Sequence, residues 1–440
     1  MTRPKILAGI DVGSSKITTL IGSAGGEMEE EKVKIIGVAS ITSKGMRKGQ
    51  IVDIEEATQG VIESVEAAER MAGYTINRVL VSVGGPQIAS QNSTGVVAVA
   101  EPEGEITPED VRRVIEAARA ISLPSSREII HVLPRTFTVD GQPGVKDPVG
   151  MSGVRLEVET HIISGSTTAI RNLSKCVSEV GANVEGLVAG GLAAAESVLT
   201  ETERELGVVL VDVGGGVTNL MIYIEGAPFY STVLPIGAKN VTNDLAIGLR
   251  ISLEAAEKLK MSLSEKEKKV ALPEEKKELV TEEEEKEAPK DEVDLKKLGI
   301  GEESRSVSRK TLTEGIIKPR LSELFTMVGL EIKKSEAGGL TPAGVVICGG
   351  GAQTIGVIEA AKRSLAMPVR IGLPSGISGL IDEIQEPDYA VATGLLLYGL
   401  KNESQAVPNF SFGSIGRKLP KIPVKGVVSK AWDLLKSFLP

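Results

Sequence analysis

The sequence predicts an α/β fold of two lobes, with a smaller α+β module inserted in the first and an amphipathic helix at the end. Three glycine-bearing segments carry this expectation. ILAGIDVGSSKITTLIG near the start and GVVLVDVGGGVTNLMIYIEG in the middle repeat one pattern. Each is an apolar run ending in an acid (Asp11, Asp212), then a small-residue turn, then a second apolar run. That is a strand, a tight turn and a returning strand. A third run, GVVICGGGAQTIGV, follows an apolar strand and precedes a helical pattern. The turn residues Gly13, Ser14 and Ser15, and Gly214, Gly215 and Gly216, expose backbone N–H groups without bulk, which suits phosphate oxygens. Two such hairpins facing each other, each with an Asp able to hold Mg²⁺ through water, clamp a nucleoside triphosphate between two lobes. Neither GxxxxGK[ST] nor GxGxxG occurs, so the spacing belongs to neither of those phosphate motifs.

Bulk composition narrows the class. The 440 residues suffice for two domains or more, and 41% hydrophobic with 25% charged residues is a globular balance. A net charge of −9 argues against nucleic acid as the main partner, because phosphate backbones repel it. Two cysteines in apolar settings, Cys176 and Cys348, make no disulfide framework and fit a reducing cytoplasm. No apolar run approaches the roughly 20 residues that span a bilayer, and the N-terminus runs into the first strand without signal-peptide spacing. His131 and His161 fall in strand-like stretches and read as ordinary core or surface residues; with two cysteines they build no structural zinc site.

The elements follow in order. VKIIGVASIT reads as a strand, and Ile54 to Ala72 as a helix ending at Gly73, with Val61, Ile62, Val65, Ala68 and Met71 at helical spacing. NRVLVSVGG is a strand. From 85 to 163, strand-like pieces surround one helix with Thr107 as N-cap and Pro108 at its first position, which makes a compact α+β insertion. Thr167 to Val180 reads as a helix, and VEGLVAGGLAAAESVLTETERELG as a small-residue helix before the second hairpin. DLAIGLRISLEAAEKLKM is helical, and 264–298, with mixed Lys/Glu blocks, reads as a solvated, mobile charged loop or a frayed helix. A long amphipathic helix over SRKTLTEGIIKPRLSELFTMVGLEIKKSE, the third glycine loop and a small-residue helix over Pro387 to Lys401 complete the body. Residues 402–423 read as a linker. In 424–440, Val424, Val427, Val428, Ala431, Leu435, Phe438 and Leu439 fall at helical spacing, punctuated by Lys425, Lys430 and Lys436, with Trp432 suited to a lipid–water interface.

With these pieces together, the chain resembles the actin-like ATPase superfamily, and within it the FtsA family of bacterial cell-division proteins. DPVGMSGVRLEVETHIISG, GGLAAAESVLTETERELGVVLVDVGGG, TLTEGIIKPRLSEL and the terminal helix carry the narrower resemblance. It implies an actin-like two-lobed ATPase fold with the family's extra subdomain, 1C, at 85–163. Subdomain 1A then comprises 1–84, 164–203 and 387–401. Subdomain 2A is 204–241 with 340–386, and 2B is 242–339 with the charged loop 264–298. By the same resemblance Gly13, Ser14, Ser15 and Lys16 form the first phosphate loop. Gly214, Gly215, Gly216, Thr218 and Asn219 belong to the second, and Asp11 and Asp212 stand behind the metal waters. Gly349, Gly350 and Gly351 form the adenosine loop, and Glu257 and Lys260 flank ribose and adenine. Lys16 is either a phosphate contact or a surface lysine on the outgoing strand.

The resemblance further implies ATP and Mg²⁺ as ligands, polymerisation into filaments, and attachment of the FtsZ ring to the cytoplasmic face of the inner membrane at the division site. The membrane contact falls on Val427, Val428, Trp432, Leu435, Phe438 and Leu439, against anionic lipid. The FtsZ C-terminal tail meets the helix near Lys318 and Arg320, and other divisome proteins meet 1C. Two departures point to an ATPase that is at most slow. Val217, Thr218 and Asn219 replace the Thr-x-Asp that many relatives place after the second-loop glycines, which removes a carboxylate. Gly190 and Gly191 stand where filament-forming actins orient the attacking water. The alternatives are an actin-like scaffold of type IV pilus assembly, which lacks the terminal helix, and a small-molecule kinase, which needs a general base in the cleft.

Overall fold

The duplication visible in the two hairpins extends through two whole sheets. In the computed structural model, the first sheet orders its strands Asn183–Ala189, Arg78–Val83, Lys5–Val12, Lys16–Ala24, Val33–Thr42 and Ile377–Gly379. The second orders Ala227–Leu234, Thr218–Ile224, Val208–Val213, Val345–Cys348 and Val369–Ile371. Each begins as an antiparallel meander of three strands and continues through parallel strands beside the first. Val208–Val213 is buried at every position because its alternating side chains enter two cores, Val208 and Leu210 on one face and Val209, Val211 and Val213 on the other. The structure describes residues 5–25, 32–100, 104–270, 291–296, 306–380 and 384–404. The linker 402–423 from 405 onward and the terminal segment 424–440, with Val427, Val428, Trp432, Leu435, Phe438 and Leu439, lie outside them.

Two helices join the lobes. Gly190–Val198 is apolar almost all round, as a helix packed on every side must be. Its alanines share one core with Val81 and Ile163 of the first lobe and with Leu210, Met221 and Cys348 of the second. Against it packs Ala390–Ser404, at a crossing so close that a Cβ on Gly394 would lie 1.7 Å from the Ala193 carbonyl oxygen. Leu395 of this helix belongs to that shared core, while Ala392, Leu396 and Leu397 cover Leu7, Leu20 and Val38 on the first sheet.

The insertion has its own sheet, Ala89–Ala98, Arg155–Ser166, Arg127–Val139 and Gln142–Val145, with the helix Pro108–Arg119 across it. Thr107 caps that helix and Asp110 returns the bond to the Thr107 backbone, a full capping box. Val99, Ile106, Val114, Ala118, Phe137, Val139, Leu156 and Val158 form a separate small core. The two long strands do not stop there. Ile163 is part of the first lobe's core, and Ile130 and Leu133 pack on it.

Three stretches differ from their sequence reading. Asn183–Ala189 is a strand rather than the start of a helix, because it pairs in parallel with Arg78–Val83 and only the small residues from Gly190 turn helical. The helical run after Thr242 is two helices, Ala238–Leu249 and Leu253–Val270, parted by Arg250 in the left-handed region at φ 57°. The charged stretch 264–298, expected as a loop or frayed helix, also contributes a paired strand. Its start continues a helix to Val270, and Glu292–Asp294 pairs with Ser306–Ser308. Val293 and Leu295 are buried in the second lobe's core, two apolar residues in a mainly charged run. Residues 271–290 and 297–298 lie outside the described residues.

Candidate functional site

The two sheets bring their leading turns face to face. Gly13 donates its N–H to the Lys16 carbonyl (3.1 Å) and Gly214 to that of Val217 (2.9 Å), so both hairpins close with the same geometry. Contact between them is intimate. A Cβ on Gly215 would lie 2.0 Å from Ser15 Oγ, and one on Gly216 would lie 3.0 Å from Ser14 Oγ. Only glycine allows this approach. Ser14 is buried; its Oγ accepts from the Gly49 N–H (2.8 Å) and its carbonyl from Lys239 Nζ (2.7 Å). The helix Ala238–Leu249 starts on the second loop, its Ala238 and Lys239 N–H groups donating to the Gly214 and Gly215 carbonyls (2.9 and 2.8 Å).

Asp11 and Asp212 end the leading strands of the two lobes and face the same space. Ser82 donates to Asp11 Oδ1 (2.6 Å), and Asn219 Nδ2 donates to Asp212 Oδ2 (2.7 Å). Burial raises both carboxyls. Asp11 is restrained by Ser82 and the Lys16 charge, while Asp212, restrained by Asn219 but repelled by Asp11, reaches about 7. Two buried acids that repel each other call for a counter-charge. The pair fits a hydrated Mg²⁺, which commonly takes one or two carboxylates and fills its other positions with water and phosphate. Among the described residues no group of three or more His, Cys, Asp or Glu gathers, so these residues offer no all-protein cage.

The third glycine loop completes the ring. Gly349, at φ 81°, donates its N–H to the Pro387 carbonyl (2.9 Å), and a Cβ there would stand 2.3 Å from Asp212 Oδ1. Gly350 lies beside Asp388, and Gly351 beside Val213. Glu257 and Lys260 meet each other: buried Lys260 donates to Glu257 Oε2 (2.8 Å) and Thr242 Oγ1 (3.0 Å). Gly190 faces Asn219, and a Cβ there would lie 3.3 Å from Asn219 Nδ2.

The other expected residues are engaged by partners within the fold. Thr218 is fully buried and donates its hydroxyl to the Ile236 carbonyl (2.8 Å), in the loop between the strand Ala227–Leu234 and the next helix. Lys16 reaches Asp388 Oδ2 (2.5 Å) and stands 4.0 Å over the Tyr389 ring. Arg320 is forked onto Asp244 (2.5 and 3.0 Å) and also bonds Glu323, while Lys318 pairs with Glu314 (2.6 Å) and Glu359 (2.8 Å). These intramolecular pairs raise both cations further above their ordinary range. Sequence reasoning missed Ser82, Lys239, Gln353 and Asp388. Lys239 alone had a signal, standing two residues after Gly237 at the start of the helix that follows the second hairpin.

Comparison with known proteins agrees with this geometry. A family model described as the SHS2 domain inserted in FTSA matches residues 85–164, and one for cell division protein FtsA matches 209–394. The chain is 37% identical over 424 residues to the cell division protein FtsA of Pseudomonas aeruginosa, covering 96% of this chain and 95% of that protein. The FtsA of Escherichia coli K12 is 36% identical, with 90% and 91% covered, and that of Bacillus subtilis 33% identical, with 97% and 90% covered. Among solved structures, a PilM–PilN type IV pilus biogenesis complex superposes with a TM-score of 0.59 at 15% identity, over 90% of this chain and 98% of that one. MreB5 of Spiroplasma citri bound to ADP superposes at 0.50 and 14%, over 92% and 99%. These two likenesses establish the actin-like fold.

Proposed function

Since the chain belongs to the FtsA family of bacterial cell-division proteins, we propose that it is an ATP-binding, polymerising adaptor that fastens the FtsZ ring to the cytoplasmic face of the inner membrane at the division site. The observation that carries the nucleotide reading is the pair of glycine turns pressed together, each preceded by a buried aspartate at a strand end. ATP phosphates seat on the N–H groups of the two loops, with Asp11 and Asp212 holding Mg²⁺ through water. Glu257 and Lys260 flank the ribose and base, and the glycines from Gly349 to Gly351 pass beneath them. The bound cation neutralises phosphate charge when present. The chain's own contribution is to orient the phosphates and to close water out between the lobes.

Turnover is slow in this reading. Asn219 supplies no carboxylate, being committed to Asp212, and Gly190 offers no side chain to aim a water. ATP therefore acts chiefly as an assembly ligand. The subdomain limits read from the sequence stand as part of the proposal except at the end of 2A, because Ile377–Gly379 pairs with Val33–Thr42 of the first sheet and Ile384 packs in that sheet's core; 1C contacts the next subunit and other divisome proteins. The FtsZ C-terminal tail docks on the second lobe near Lys318 and Arg320. Since Asp244 and Glu323 already hold Arg320, an acidic tail joins or displaces an existing pair.

Residues 424–440 supply the membrane contact as an amphipathic helix. One short helix binds reversibly, and a filament presenting many copies converts weak contacts into avidity. The kinase alternative has no use for this segment. The pilus scaffold shares the fold at 15% identity, whereas the FtsA relatives stand at 33–37%. The test is co-sedimentation with anionic vesicles, with and without Mg·ATP and FtsZ. FtsZ should pellet with vesicles only when the full chain is present, and removal of 424–440 should release both proteins. FtsZ left in the supernatant with the full chain and ATP would refute the adaptor reading.

A further inference from the structure

Lys16 is the one expected phosphate contact whose partner was not foreseen. Its ammonium lies 2.5 Å from Asp388 Oδ2 and 4.0 Å over the Tyr389 ring, and it is near enough to Asp11 to hold that carboxyl down. The second carboxylate oxygen of Asp388 accepts from Gln353 Nε2 (3.2 Å) on the third glycine loop. The residue before it, Pro387, accepts the Gly349 N–H, and Gly350 stands against the Asp388 side chain. One carboxylate thus touches the first phosphate loop from one lobe and the adenosine-type loop from the other. It does so at the turn that opens the helix Ala390–Ser404, which packs between the lobes.

We propose that Asp388 is a positioning residue for nucleotide binding: it holds Lys16 extended toward the phosphates and joins that lysine, through Gln353, to the loop beneath the nucleoside. This rests on the cleft reading above. The physical reason is conformational. A free lysine explores many rotamers, and holding it before the ligand arrives removes that cost from binding. The Asp388 charge does not itself repel phosphate strongly, because the Lys16 ammonium and the Gln353 amide already face it.

The experiment is a double-mutant cycle on the full chain, reading the affinity for Mg·ATP and Mg·ADP by titration calorimetry. Asp388→Asn keeps the shape and loses the charge, and should weaken both nucleotides about tenfold, with Asp388→Glu recovering part of the loss. Lys16→Met should weaken them at least as much, and adding Asp388→Asn to Lys16→Met should cost nothing further. A merely structural Asp388 would lower the melting temperature while leaving affinity alone, or would add its full effect to that of Lys16→Met; either result overturns the proposal. Tighter binding by Asp388→Asn overturns it as well. If Asp388→Asn does not fold, Gln353→Ala replaces it, with a smaller loss that must vanish in the Lys16→Met background. A wild-type chain that binds neither nucleotide defeats the cleft reading itself, whereas normal wild-type binding with an unaffected Asp388→Asn defeats only the role given to Asp388.

Discussion

At the scale of single residues, contact between the phosphate loops leaves little tolerance. Gly215→Val places its first carbon where Ser15 Oγ already stands. The expected outcome is at least a hundredfold loss of nucleotide affinity, on the order of 3 kcal/mol, read by calorimetry against a circular dichroism control for folding. A second prediction concerns the histidines. His131 accepts the Ala189 N–H at Nε2 (3.0 Å), and His161 bridges Asn92 Oδ1 (2.7 Å) and Ser231 Oγ (2.8 Å). Burial holds both neutral, His131 at about 4 and His161 at about 3, the latter helped down by Arg135. With folded values below the unfolded 6.5, the unfolded chain binds more protons in between. Stability is therefore fully present above about pH 6.5 and falls with pH, by about 1.4 kcal/mol per unit per histidine until the folded value is reached. Urea unfolding of His161→Gln at pH 7 and pH 5 should show roughly 2 kcal/mol less acid loss than the wild type.

At the scale of elements, the insertion and the joining helices matter most. The insertion's edge strand Ala89–Ala98 lies against the edge strand Ala227–Leu234 of the second lobe. Ser90 Oγ donates to the Ser231 carbonyl (2.6 Å) and accepts from its N–H (3.2 Å), while Asn92 Nδ2 donates to the Phe229 carbonyl (3.2 Å). Arg135 stacks 4.7 Å over the Phe229 ring. The module thus has its own core and yet is fastened across to the other lobe, which also explains why His161 is buried. The second element-scale feature is the crossing of Gly190–Val198 with Ala390–Ser404. Gly394→Val must push these helices apart, because its Cβ would overlap the Ala193 carbonyl. The expected loss is about 3 kcal/mol or more, visible as a lower midpoint in chemical unfolding, and a change under about 1 kcal/mol would show that the helices shift freely.

For the whole molecule, one prediction concerns the division between binding and turnover. The cleft is built from loops of both lobes, so closure around nucleotide is well provided for. In the proposed reading, Gly190 and Gly191 supply no side chain to aim water at the terminal phosphate. Steady-state phosphate release should stay well below the roughly 1–100 s⁻¹ of kinases even with saturating Mg·ATP. Turnover in that range would mean that a water-positioning group enters from elsewhere, such as a neighbouring subunit in a filament.

The sequence alone determined what depends on neighbours along the chain. Strand, glycine turn and strand are local patterns, so both hairpins, the acids ending their leading strands and the capped helix after Thr107 were legible in it. So was the family, because its segments are contiguous. Tertiary structure decided whatever depends on partners distant in sequence. Asn183–Ala189 is a strand because a parallel neighbour from Arg78 to Val83 pairs with it, which outweighs the helical reading of its small residues. Val293 and Leu295 are core residues because a charged stretch returns to the second lobe. Thr218 is engaged within the fold because Ile236 offers its carbonyl. Ser82, Gln353 and Asp388 join the site through contacts spanning tens to hundreds of residues, and no local pattern marks them. The reason is physical: periodicity and turn chemistry act over a few residues, whereas a buried carboxylate or ammonium takes the partner that the packed fold brings to it.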